Sequence, residues 1–191
     1  MINHRPFLAV TALACGLGLS ACGSETQQPA PQEDAERAYM AADAAPEMAT
    51  AMLKTADGKD VGTVTATQEE EGIRLAISAT GMTGGEHGIH VHTTGKCEGP
   101  KFESAGGHWN PMGAQHGLSN PQGQHSGDMP NLVIASDGSG KMDYLLREAQ
   151  FEQMLDDDGA ALIIHAKADD QKTDPSGDSG DRVACGVFTR G

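Results

Sequence analysis

From Ile73 to Thr80 the apolar residues Ile73, Leu75, Ile77 and Ala79 alternate with Arg74, Ala76, Ser78 and Thr80, a set that is polar but for the small Ala76. A period of two puts one set on each face of an extended chain, so the segment predicts a half-buried strand and leaves a helix no apolar stripe. Similar segments recur. Ala49 to Thr55 and Val61 to Gln68 flank Asp57-Gly58, a hairpin signal. Further strands are predicted at Gly88 to His92, Pro130 to Ser136, Lys141 to Arg147, Ala160 to Ala166 and Arg182 to Phe188. Asp137-Gly138 and Ser139-Gly140 make a predicted hairpin between the segments at 130–136 and 141–147, and Glu148 to Leu155 reads as a helical turn. The predicted fold is all-β, a Greek-key antiparallel β-sandwich or flattened barrel of about eight strands.

Two stretches, Thr93 to Met129 and Asp169 to Asp181, do not fit as strands. Loops this long inside a compact domain are functional or disordered as a rule. The first holds His108, His116 and His125, which argues for function.

The chain of 191 residues with 38% hydrophobic content can bury one sizeable core. Aromatics at 4% beside 25 Gly and 9 Pro suit a β-protein with tight turns better than a helical bundle. A formal charge of -14 excludes nucleic acid and anionic membrane surfaces as natural partners, because phosphates would be repelled.

The N-terminus has a different character. His4 and Arg5 precede an apolar run from Phe7 to Leu19 that is too short to span a bilayer and has the form of a secretory signal. The run ends in Leu19-Ser20-Ala21-Cys22-Gly23, which resembles a bacterial lipoprotein cleavage box with Cys22 as the lipidated first residue of the mature chain; an ordinary signal with an incidental cysteine is the plainer alternative. Gly23 rather than Asp after the cysteine implies the outer membrane under the enteric sorting pattern. The expected organisation is a signal peptide at 1–21, a lipidated Cys22 with a disordered tether to 47, and a folded domain from 48 to 191 on the periplasmic side of a bacterial envelope. Membrane contact is expected only through the lipid, and export implies an oxidising compartment.

In the segment Gly88-Ile89-His90-Val91-His92, His90 and His92 share one strand face while Ile89 and Val91 take the other. Two such histidines alone make a polar outer face as readily as a metal site. The long loop adds His108, His116, His125 and Asp128, and the strand at 160–166 brings His165. Three imidazoles and one carboxylate suit a closed tetrahedral zinc site, and His90, His92 and His165 suit copper. Each loop histidine by itself would be a solvated polar residue; together they point to one bimetallic centre.

These residues stand in motifs that resemble the copper,zinc superoxide dismutase family: Gly88 to His92, Gly106-Gly107-His108-Trp109-Asn110-Pro111, His116-Gly117, His125-Ser126-Gly127-Asp128-Met129-Pro130-Asn131, His165-Ala166-Lys167-Ala168-Asp169-Asp170 and Arg182-Val183-Ala184-Cys185-Gly186-Val187. The resemblance implies copper on His90, His92, His108 and His165, zinc on His108, His116, His125 and Asp128, and His108 shared between them. It implies dismutation of superoxide to dioxygen and hydrogen peroxide by alternating reduction and oxidation of copper, with His108 relaying a proton. Arg182 would attract and orient the anion, Asp169 would link His90 to His116, and Cys97 and Cys185 would form a disulfide. His87 and Trp109 are expected to be structural, His87 through a hydrogen bond within its turn. One base, Lys172, stands among Asp170, Asp174, Asp178 and Asp181 in the loop where the family places steering charges, so slower and less salt-sensitive anion capture is expected. A periplasmic copper- or zinc-binding lipoprotein without turnover, or a surface protein on a retired scaffold, are the competing classes. The subunit could be a monomer or a homodimer.

Overall fold

A computed structural model describes residues 45–191; the predicted signal peptide, Cys22 and nearly all of the predicted tether lie outside the described residues. The elements in order are β1 (Met48–Lys54), β2 (Asp60–Glu69), β3 (Gly72–Ala79), β4 (Gly85–His87), β5 (Ile89–His92), β6 (Leu132–Ile134), β7 (Gly140–Arg147), a short helix α1 (Phe151–Met154), β8 (Ala161–His165), β9 (Arg182–Val187) and β10 (Thr189–Arg190), with one 3-10 turn at Glu103–Ala105. The principal sheet runs β5-β8-β9-β1-β2-β3-β7, with β10 pairing β1, and every pairing is antiparallel. A second, two-stranded ladder joins β4 to β6.

The alternation in β3 is realised as read: Ile73, Leu75, Ile77 and Ala79 are buried against Leu53, Val64, Leu146 and Phe151 in one core. On the outer face Arg74 pairs with Glu69 and Asp143, and exposed pairs of this kind contribute little to stability. β8 is buried along its whole length, which is why its apolar run is continuous rather than alternating.

Three features depart from the sequence expectation. The strand expected from Gly88 is β5, and a further short strand, β4, precedes it; the chain changes partner at Gly88, β4 lying against β6 and β5 against β8. The expected hairpin partners at 130–136 and 141–147 are joined by a turn, with the Ala135 amide donating to the Ser139 carbonyl, but they form ladders with β4 and β3 respectively. β10, two residues long, is too short to carry a pattern.

Cys97 and Cys185 are disulfide-bonded across 88 positions. In the chain-entropy account a closed loop of that length contributes about 4 to 5 kcal/mol. It ties the segment after β5 to the middle of β9.

Candidate metal centre

β5 is an edge strand of the principal sheet, and its free edge is where the long loop docks. The Val91 amide donates to the Gly127 carbonyl and the Val91 carbonyl accepts from the Trp109 amide, while Gly127 donates to Trp109. Gly127 is needed for this approach, since a Cβ there would stand 2.4 Å from the Val91 oxygen. The docking sets His108 opposite His92 and Asp128 opposite His90. It also covers the histidine face, so all four residues of β5 are buried where an open polar face was one possibility. Trp109 packs into the core beside them.

β8 and β9 complete the site. Their register slips between Ile164 and His165, so that His165 lies opposite Arg182 and Val183 is skipped. Such a bulge re-aims a side chain at a strand end. The Arg182 guanidinium is then fixed by two carbonyls, Nη1 donating to Phe102 at 2.6 Å and Nη2 to Gly106 at 2.7 Å.

Two donor groups result, each with ligand atoms mutually within 4.8 Å: His90, His92, His108 and His165; and His90, His108, His116 and Asp128. In the first, four buried ring nitrogens have no partner: His90 Nδ1, His92 Nε2, His108 Nε2 and His165 Nε2. Buried polar atoms without partners are costly, and four converging acceptors fit a cation. The opposite nitrogens are spoken for. His92 Nδ1 donates to the Gly106 carbonyl at 3.0 Å, His165 Nδ1 to the Gly180 carbonyl at 3.1 Å, and His90 Nε2 to Asp169 at 2.6 Å. Those bonds fix the tautomer and leave the free nitrogen as a lone pair.

In the second group Asp128 Oδ1 lies 2.9 Å from His108 Nδ1, 3.0 Å from His116 Nδ1 and 3.4 Å from His125 Nδ1, and the last is 3.4 Å from His108 Nδ1. Ligands on a tetrahedral zinc with bonds near 2.0 Å stand about 3.3 Å apart, so these spacings fit that ion. His90 is within this group and His125 lies outside it. His125 Nδ1 stands 3.4 Å from both Asp128 Oδ1 and His108 Nδ1, whereas His90 turns Nε2 to Asp169 and its free Nδ1 belongs with the first group. His108 is the member whose two nitrogens divide between the groups.

The electrostatics of the two groups are opposite. Burial pushes the His90 imidazole down to about 3 and His165 to about 4, and it depresses His92 and His108 as well. All four favour the neutral, ligating form. Burial also opposes charge on His116, but its bonds to Asp128 and Asp169 prevail and lift it to about 9. The same bonds hold both carboxyls well below the usual range, against the burial that would raise them.

Asp169 joins the groups, accepting from His90 Nε2 and, at 3.0 to 3.1 Å, from His116 Nε2. Asn131 clamps it from behind, its amide donating to the Asp169 carbonyl and its oxygen accepting the Asp169 amide. Gly177, at φ 62, leaves no room for a Cβ beside Asp169 and His116. His87 reaches further than its turn: Nε2 lies 2.9 Å from the Thr83 carbonyl and Nδ1 2.7 Å from the carbonyl of His165. Sequence reasoning gave no role to Asn131 and read Asp174 only as a loop charge, whereas its carboxylate accepts the His116 amide at 2.7 Å. Nor did it find the carbonyls of Phe102, Gly106 and Gly180, since backbone acceptors leave no signature in residue type.

A family model described as copper/zinc superoxide dismutase (SODC) matches residues 61–188. The chain belongs to the copper/zinc superoxide dismutase family. A copper-zinc superoxide dismutase of Caulobacter vibrioides is 41% identical over 73% of this chain and 84% of its own length. A superoxide dismutase-like protein of Bacillus subtilis is 37% identical over 97% and 96%. Among solved structures, the Bacillus subtilis superoxide dismutase-like protein superposes with a TM-score of 0.70 at 39% identity, covering 73% of this chain and 97% of that one. The Brucella abortus copper/zinc enzyme superposes at 0.63 with 30% identity, covering 75% and 100%. Copper and zinc are the metals this family implies, and the two donor groups suit one of each.

Proposed function

We propose that the protein dismutes superoxide, two anions and two protons giving dioxygen and hydrogen peroxide, with copper held by His90, His92, His108 and His165 and zinc by His108, His116, His125 and Asp128. The observation that carries this is the division of His108, whose Nε2 joins three other unpartnered imidazole nitrogens while its Nδ1 joins Asp128 and His125. A site that only stored metal would need no imidazole shared between two donor groups. Bound copper supplies the one-electron reduction and reoxidation, and zinc, without redox chemistry, fixes geometry and tunes the shared ring.

The remaining work falls to the chain. Arg182 offers a permanent guanidinium, aimed by two carbonyls, that attracts and orients a small anion. His108 Nε2 takes up and returns one proton per cycle while Nδ1 stays engaged. His92 and His165 keep their Nδ1 protons on the carbonyls of Gly106 and Gly180, so they hold position without joining the proton traffic. Asp169 keeps His90 and His116 in register, coupling the two halves as carboxylates behind metal ligands do.

The Bacillus subtilis relative is called superoxide dismutase-like, which keeps binding without turnover as the second reading. Metal analysis of the purified protein with superoxide removal, before and after His165→Ala, separates the two. One copper, one zinc and activity lost in the variant support the enzyme; full metal content with no activity in the native protein supports the binder. The setting proposed is the periplasmic side of a bacterial envelope, reached by the signal at 1–21 and held by lipid on Cys22, where the activity would guard against superoxide arising outside the cytoplasm. Incorporation of labelled palmitate that disappears in Cys22→Ala tests the anchor.

A further inference from the structure

Phe102 combines three properties found together at no other described residue. Its backbone is left-handed, φ 55 and ψ 26, a region that bulky side chains rarely adopt. Its ring is buried, in a small cluster with Ala105, Ala161, Ile163 and Cys185, apart from the main core. Its carbonyl receives the 2.6 Å hydrogen bond from Arg182 Nη1. The other non-glycine residues in that backbone region, Glu148, Gln171 and Asp178, have polar side chains.

The geometry points to Phe102 as the positioning residue for Arg182, a latch whose buried ring imposes the backbone turn that aims its carbonyl at the guanidinium. Unfavourable backbone persists only where the surroundings enforce it. Here the enforcement comes from the ring cluster, which is built on β8, β9 and the disulfide cysteine, and from the amide of Phe102 on the Glu98 carbonyl at 3.0 Å. The same strands carry His165 and Arg182, so the latch references the arginine to the histidine opposite it. Gly106, the second acceptor for Arg182, also holds His92. Loss of Phe102 would therefore leave the guanidinium tethered on one side only, free to swing about that bond.

This inference rests on the proposed role of Arg182 in anion capture, and the test keeps the two apart. The copper- and zinc-loaded protein is titrated with azide, a small anion, following the copper absorption band, for the native chain, Arg182→Ala, Phe102→Ala, Phe102→Leu and the Arg182→Ala/Phe102→Ala pair. Expected are weaker azide binding in Arg182→Ala, a loss of about tenfold in Phe102→Ala, near-native binding in Phe102→Leu because a similar volume refills the cluster, and no further loss in the pair. Metal content and the anion-free copper spectrum stay native in Phe102→Leu. If Arg182→Ala binds azide normally, the role of the arginine fails. If Arg182→Ala is impaired while Phe102→Ala is native, or if the two losses add in the pair, the latch is overturned and the arginine stands. Should Phe102→Ala not fold, Phe102→Leu and Phe102→Gly decide: glycine removes the ring that enforces the turn and frees the backbone to leave it, so native azide binding in it overturns the latch and weakened binding beside a native leucine variant supports it.

Discussion

The strand-borne and loop-borne halves of the centre solve opposite problems with the same side chain. His90, His92 and His165 sit on β5 and β8, all buried, and one ring nitrogen of each has no partner in the protein. His116 and His125 sit on a loop and are drawn together by Asp128, which contacts every imidazole of that group. The strand half is prearranged by the sheet and kept neutral by burial. The loop half is prearranged by charge, with Asp128 standing as counterion to the His116 imidazole. His108 divides its two ring nitrogens between the halves.

The comparison predicts that the halves fail separately. His165→Ala should remove nearly all copper and superoxide removal while zinc content stays native, because Asp128 and its imidazoles are untouched; parallel loss of both metals would mean one site rather than two. Asp169→Asn acts on both halves at once, through His90 and His116, and should weaken each metal's binding about 10- to 100-fold, the usual range for a partner behind metal ligands. Competition against a chelator would measure it, and an effect on one metal alone would restrict Asp169 to that half.

Removing the metals should expose the opposite electrostatics as a pH dependence of folding. An unfolded chain protonates His90 and His165 near 6.5, whereas burial delays this to about 3 and about 4 in the fold. Between pH 6.5 and 4 the unfolded chain therefore binds more protons, and the metal-free protein loses stability as pH falls through that window. His116 has the other sign: raised to about 9, its contribution is full below 6.5 and lost as pH rises toward 9. Asp128 and Asp169 contribute above the ordinary carboxyl range and are lost only in stronger acid. Thermal unfolding of the metal-free protein should thus be most resistant near pH 6.5, and the loaded protein, whose rings are kept from protons until unfolding frees them, should lose stability on acidification at least as steeply. A metal-free profile that is flat from pH 4 to 9 would contradict the assignment.

The smallest expected effect concerns approach. With Asp170, Asp174, Asp178 and Asp181 around Lys172, long-range attraction of an anion is weak, and the rate should change less than about twofold between low and physiological salt. A steep fall with added salt, measured by rapid mixing, would show a steering field these residues do not supply.

How much was legible follows the same division. β3 and β8 could be read because burial on one face or both writes itself into the order of apolar residues, and the donor residues could be read because metals demand particular side chains. The exchange of partners at Gly88 could not, since it depends on which edge is free after the sheet forms. Nor could the supports: Asn131 meets Asp169 across 38 positions, and Arg182 finds Phe102 across 80. Such contacts depend on loop paths and backbone oxygens, for which no residue pattern is required.

The most direct test is a crystal structure of the protein loaded with copper and zinc, at a resolution that separates the two ions by anomalous scattering. The account predicts copper on Nε2 of His108 and zinc on Nδ1 of the same ring. A ring touching one ion alone, with the second metal bound elsewhere, would contradict it.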